Sequence, residues 1–280
     1  VFGPQNVIFP VLSAKARLEK VGEYDQAMEL LCEAEAVYQA SGNKAGLCQT
    51  AFAIGLLYKD WDNYAKATEC FERQQRLSRE TGNEFELARG LSLIGLVCYW
   101  QGDFDQAERH FGDALRYAAE TGNKINRCTM LHNLGALYRE RGDYRQSLDS
   151  LSQSLALARE IHDIRSISSA LGSIGGLLLY HGKYQEALDY LYEQLKLCRQ
   201  TGDKYFISCC VGDIAAVYYS MGDLRRSLEY QLQELELSQQ MKSGLGIAHS
   251  WHKLGKIAQE QGDQQLAEEY YEKAVVLAGS

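Results

Sequence analysis

Proline is nearly absent from this sequence, occurring only at Pro4 and Pro10, so nothing beyond the tenth residue forces a helix to break. Positive charge is also in deficit: 29 Lys and Arg stand against 37 Asp and Glu, a net charge of −8. Sequence-independent nucleic-acid binding needs many cationic contacts to phosphate, and no contiguous basic stretch supplies them, so no nucleic-acid partner is expected. No apolar run approaches the roughly 20 residues that cross a bilayer, which leaves no candidate helical membrane span. The first ten residues lack the basic start and small-residue cleavage site of a secretory signal. CxxC pairs are missing as well. The eight cysteines (Cys32, Cys48, Cys70, Cys98, Cys128, Cys198, Cys209, Cys210) all fall inside predicted helices, which reads as buried thiols in a reducing, cytoplasmic setting. The chain begins without Met, as expected of a domain belonging to something larger.

What the sequence has in abundance is itself, repeated. Aligned on Gly22, a turn glycine returns every 40 residues as Gly102, Gly142, Gly182, Gly222 and Gly262, with Asp62 filling the missing slot. Five residues after each turn position stands a small residue: Ala27, Ala67, Ala107, Ser147, Ala187, Ser227 and Ala267. Seven periods cover the 280 residues, with repeats at approximately 4–40, 41–80, 81–120, 121–160, 161–200, 201–240 and 241–280. Such a chain stacks one supersecondary unit on the next and forms a single array over 1–280. The segment 1–10 has no repeat character, and Lys15 stands where a glycine is expected, which suits a capping end.

Each period predicts two helices. In 81–120, Leu87, Leu91, Ile94, Val97 and Cys98 form one apolar stripe at three- and four-residue spacing, and Phe104, Ala107, Phe111, Ala114, Leu115 and Ala118 form another. The connection is short enough to force the pair antiparallel. Between periods, Ser41-Gly42-Asn43, Thr81-Gly82-Asn83 and Thr121-Gly122-Asn123 supply a glycine to end one helix and an Asn to cap the next. Gly55, Gly95, Gly135, Gly175 and Gly255 recur in mid-helix, where each costs about 1 kcal/mol relative to Ala. The expected offset is close approach of the paired helix at the Ala/Ser slot twelve residues on.

Leu134-Gly135, Tyr138, Gly142-Asp143-Tyr144, Ser147 and Leu151, with Trp251, Leu254-Gly255, Ala267 and Tyr271 in the last period, carry a pattern that resembles the tetratricopeptide repeat, in a long 40-residue form without the closing proline. The resemblance implies an all-α, right-handed α-solenoid of seven antiparallel helix-turn-helix repeats, whose first helices line a concave groove. It further implies a groove of Phe52, Arg89, Leu96, Tyr99, Trp100, His132, Asn133, Arg139, Tyr180, Asp213, Tyr219, His249, His252 and Lys253. Gly172, Ser173 and Gly176 would give that groove a shallow floor. The lysine clamp of chaperone-tail relatives is missing, since its positions read Phe52, Ser92, His132, Gly172, Gly212 and His252.

Cys209, Asp213, His249 and His252 have ligand types suited to zinc, but the spacing is unspecific and no metal or other cofactor is expected. Nothing pins a base beside a nucleophile. The reading is a non-enzymatic protein- or peptide-binding module, the regulatory or sensor part of a larger signalling protein. The alternatives are a structural scaffold or self-association arm, through Leu266, Tyr270 and Val276 of the last repeat, and a receptor for a small signalling peptide or other ligand.

Overall fold

The structure, a computed structural model, describes residues 24–278; the 1–10 segment, Lys15 and Gly22 lie outside the described residues. Thirteen helices and no strand are found among the described residues. They begin every 20 residues: α1 Tyr24–Ser41, α2 Lys44–Asp60, α3 Tyr64–Thr81, α4 Glu84–Trp100, α5 Phe104–Glu120, α6 Lys124–Glu140, α7 Tyr144–Glu160, α8 Ile164–Tyr180, α9 Tyr184–Thr201, α10 Lys204–Ser220, α11 Leu224–Gln240, α12 Gly244–Glu260 and α13 Gln264–Ala278. This is the all-α, α-solenoid class of fold. The even-numbered helices are the first helices of their repeats and the odd-numbered ones the second. By compactness the chain divides into two units, residues 1–143 and 144–280.

The turns set the 20-residue rhythm. Positions 42, 82, 102, 122, 142, 182, 202, 222 and 262 are glycines with φ between 64° and 83°, the left-handed conformation that ends a helix without a Cβ clash. Three turns use other residues in the same conformation: Asp62, His162 and Lys242, each at φ 55°. The caps follow. Asn43, Asn83, Asp103, Asn123 and Asp223 each accept a backbone N–H three residues on, at 3.0–3.2 Å, satisfying one of the amides that a helix start leaves unpaired.

In unit 1 the core lies in successive layers between helix pairs. One layer joins Ala27 and Leu31 to Ala53, Ile54 and Leu57; a second joins Ala67 and Phe71 to Ile94 and Val97; a third joins Ala107, Phe111 and Ala114 to Met130, Leu134 and Leu137. In unit 2 a single buried cluster runs from Leu151 through Leu171, Ile174 and Leu191 to Ile214 and Tyr218. The recurring small slot is closed everywhere it is described, at 1% exposure or less from Ala27 to Ala267.

The mid-helix glycines meet more than that slot. A Cβ on Gly55 would stand 2.5 Å from the Phe71 ring, on Gly95 2.6 Å from Phe111, on Gly175 2.7 Å from Leu191, and on Gly255 2.5 Å from Tyr271. The glycine therefore admits the bulky residue sixteen positions on. The expected close approach at the slot twelve positions on is seen at Gly175, where the Ala187 backbone oxygen lies 3.5 Å from a built Cβ, but the nearest atoms belong to the residue sixteen on. A small slot on the second helix brings the backbones together, and the missing Cβ on the first helix makes room for the ring.

The cysteine expectation holds for half of them. Cys48, Cys128, Cys198 and Cys210 are buried, Cys70 and Cys98 half-buried, and Cys32 and Cys209 exposed.

Candidate functional site

Three pairs of successive first helices touch one another, α2 with α4, α4 with α6, and α8 with α10, and among the described residues no pair of second helices makes a comparable contact. The first helices therefore form the inner side. Their outward stripe has helical spacing: in α10, Tyr205, Cys209 and Asp213 are exposed while Ser208, Cys210, Val211, Gly212 and Ile214 are buried. All fourteen groove residues read from the sequence lie on first helices, eight in unit 1 and six in unit 2, and all are exposed or half-buried.

In unit 1 the Arg89 guanidinium lies 3.6 Å from the centre of the Phe52 ring, with Phe85 at 5.9 Å on another side. Its charge is met by Glu86 at 2.5 Å, and Glu86 also accepts from Gln74 Nε2 at 2.8 Å. Burial pulls the Arg89 pKa below its ordinary value, against the pull of Glu86. The Lys59 ammonium sits 5.3 Å over the exposed Trp100 ring. The Tyr99 phenol is pushed up first by burial and then by Glu140, with Arg139 opposing, so α4 and α6 meet at these three side chains. His132 is recessed beside Arg139. Burial first, and that charge second, lower its pKa and keep the imidazole neutral near neutral pH. Leu96 packs on the layer between α5 and α6, and the buried Asn133 Nδ2 has no partner.

In unit 2, Tyr180 ends α8 at 82% exposure, its ring edge-on to His181 at 5.3 Å. Asp213 keeps accessible surface yet sits low among neighbouring side chains, and loss of hydration pushes its carboxyl up to about 6, with Lys253 opposing and Glu234 adding. Lys253 Nζ bonds both oxygens of the buried Glu234 at 3.2 Å. His249 is lowered by burial and then by Lys253. His252 packs 5.5 Å from the Tyr271 ring, and the Tyr219 hydroxyl donates to Glu260 at 3.3 Å. A cavity of about 160 Å³ opens between Ala215, Tyr219, Gln231, Lys253 and Lys256.

The glycine floor needs correction. A Cβ on Gly172 would lie 2.7 Å from Gln194 Nε2, and one on Gly212 2.9 Å from Glu234. These glycines let side chains from the second helices come through to the inner side, and only Gly176 borders open space. Gln194 and Glu234 are thus functional candidates that sequence reasoning missed. A second omission is a ladder at the start of the first helices: Phe85 and Ile125 in unit 1, Tyr205 and Leu245 in unit 2, at 55–84% exposure. Its signal was a large apolar residue returning at the fifth position of a period, outside the buried stripe.

Among the described residues, no three His, Cys, Asp or Glu side chains are placed to hold a metal ion. The Cys209 thiol is pushed up by burial and by Asp213, the reverse of an activated nucleophile. What the site offers is rings, stacked cations and recessed hydrogen-bond donors.

Comparison with known proteins accounts for this arrangement. The family model described as tetratricopeptide repeat matches residues 86–160, 166–240 and 208–278, and a second model of the same description matches 49–81. No curated protein matches the chain. Among solved structures, the apo form of RapI superposes with a TM-score of 0.73 at 14% identity, covering 98% of this chain and 97% of that one. A Rap protein complexed with competence and sporulation factor gives 0.66 at 18% identity, covering 98% and 77%. The signal transduction ATPase with numerous domains from Pyrococcus horikoshii, which has a tetratricopeptide repeat sensor, gives 0.74 at 13% identity; the match covers 97% of this chain and 42% of that protein. At these identities the likeness is one of fold. The family matches, the 20-residue helix rhythm and the glycine-ring contacts lead to one conclusion: the chain belongs to the tetratricopeptide repeat family.

Proposed function

We propose that this chain is a non-enzymatic binding module whose ligand, a peptide or protein segment, lies along the outward stripe of the first helices. The observation that carries this reading is the row of exposed large apolar side chains on the first helices, Phe85, Trp100, Ile125, Tyr180, Tyr205 and Leu245. The first helices present partly exposed rings and cations, with Arg89 on Phe52 and Lys59 on Trp100, which are the residue types that dominate interface energetics. The stripe is held by packed helices, so the receptor loses little freedom on binding. The Rap protein complexed with competence and sporulation factor supports the reading, and the repeat sensor of the Pyrococcus protein supports a sensor role within a larger signalling protein.

The test uses Trp100 as reporter, in a variant whose other tryptophans, Trp61 and Trp251, are replaced by Phe. Peptides selected from a displayed random library should shift Trp100 emission saturably. Binding peptides that leave Trp100 silent in every case would place the ligand elsewhere and sink the proposal.

A second reading, self-association through the last repeat, rests on α13. Val275 is 71% exposed, whereas Leu155, Leu195 and Leu235, at the same position of earlier repeats, are buried. Of the three residues expected there, Val276 is open at 72% exposure, while Leu266 and Tyr270 are half-buried, Tyr270 against Trp251 at 5.2 Å. A dimer in light scattering that Val275→Gln abolishes would favour this reading.

A further inference from the structure

Charge in this acidic protein is not spread evenly between its two helix sets. In unit 1 the first helices α2, α4 and α6 carry six Lys and Arg against four Asp and Glu, while the second helices α1, α3 and α5 carry six against eleven. Glu86 is buried against Arg89 and Gln74, so that pair cancels within the inner side and leaves its small positive surplus unchanged.

A second and independent observation concerns buried polar atoms without a partner. Among the described residues, the first helices α2, α4 and α6 of unit 1 hold four: Arg89 Nε, Asn126 Nδ2, Arg127 Nε and Asn133 Nδ2. All four are donors. A buried donor left unpaired costs on the order of 1–3 kcal/mol, and a ligand rich in acceptors is what relieves it. Arg89 already pairs with Glu86 at 2.5 Å and Arg139 with the exposed Glu140 at 2.9 Å, but a guanidinium has five donors and can take a second carboxylate, and the unpaired donors on the same helices ask for further acceptors. The rings of Phe85, Tyr99 and Trp100 ask for apolar residues spaced between them.

We infer that the inner side of unit 1 takes an acidic polypeptide segment, with Asp or Glu residues interleaved with apolar ones. This deepens the peptide-binding reading and rests on it. Carboxylates of the segment pair with Arg89 and Arg139, and its backbone carbonyls accept from Asn133 and its neighbours. The acidic second helices turn such a segment away from the outer side, so charge selects the face as well as the ligand.

The experiment is selection of random dodecapeptides displayed on phage against the immobilised full chain, followed by anisotropy titration of the enriched peptides. The expected result is an enriched set with net negative charge, whose binding weakens as salt is raised. Arg89→Gln together with Arg139→Gln should weaken these peptides by roughly tenfold or more. Arg109→Gln, on the second helix α5, should leave them unchanged, and circular dichroism of each variant checks that it is folded. Enriched peptides with no charge bias, or a basic one, that still shift Trp100 emission would overturn the acidic assignment and leave the peptide-binding reading standing. No enrichment of any peptide would overturn both.

Discussion

Asp62, His162 and Lys242 hold the left-handed turn conformation that glycine holds at nine other turns, and a side chain there costs about 1–2 kcal/mol. His162→Gly and Lys242→Gly should therefore each raise stability in chemical denaturation, by about 1 kcal/mol. Asp62→Gly should gain less, because the Asp62 carboxylate accepts from the Tyr64 hydroxyl at 2.8 Å. Mid-helix glycines divide by what their missing Cβ would meet. Gly112→Ala meets nothing within 4 Å and should stabilise by up to about 1 kcal/mol through helix propensity. Gly55→Ala meets the buried Phe71 ring at 2.5 Å and should destabilise by about 1–3 kcal/mol despite the same propensity gain. Asp213 makes a pH-dependent case. Its folded pKa of about 6 lies above the ordinary 3.8, so the folded state holds the proton more tightly and the charged form costs stability. That cost is absent below the unfolded pKa and grows as pH rises through the folded one. Asp213→Asn should raise the Tm near neutral pH, and the gain should vanish toward about pH 4.

At the scale of the helix, the repeat made most of the fold readable. Helix starts, caps and antiparallel pairing follow from residues that act on their immediate neighbours, such as Asn83 and Asp103, and these signals survive without knowledge of packing. The glycine-ring contact is not legible in the sequence because it joins two helices across sixteen residues, and spacing alone does not say which second-helix residue points inward. Gln194 and Glu234 escaped notice for the same reason: they look like solvated polar residues of an outer helix, and only the gaps at Gly172 and Gly212 carry them inward. The Phe85, Ile125, Tyr205 and Leu245 ladder is hard to read from the sequence because its slot does not repeat strictly, holding Ala45 and Arg165 in other periods. Helix α13 gives a prediction at this scale. Leu235→Ala, beneath α12, should cost about 2–5 kcal/mol, while Val275→Ala at the equivalent open position of α13 should change stability by less than about 0.5 kcal/mol.

At the scale of the molecule, each unit shows the same division of labour. The first helices of unit 2 carry four Lys and Arg against two Asp and Glu, and its second helices seven against eleven, the same sense of asymmetry as in unit 1. A net charge of −8 therefore describes mainly the outer helices and masks a mildly basic inner set. Composition argues against nucleic acid. Sorting the charges by helix leaves room for another anionic partner, a short acidic polypeptide. The account stands on where a ligand sits, and the most direct measurement is photo-crosslinking of a library-selected peptide with mass-spectrometric mapping of the attachment points. The prediction is attachment on the stripe of α2, α4 and α6, at Leu96, Tyr99 or His132 and their neighbours. Attachment confined to the second helices α3 and α5 or to the turns would contradict it.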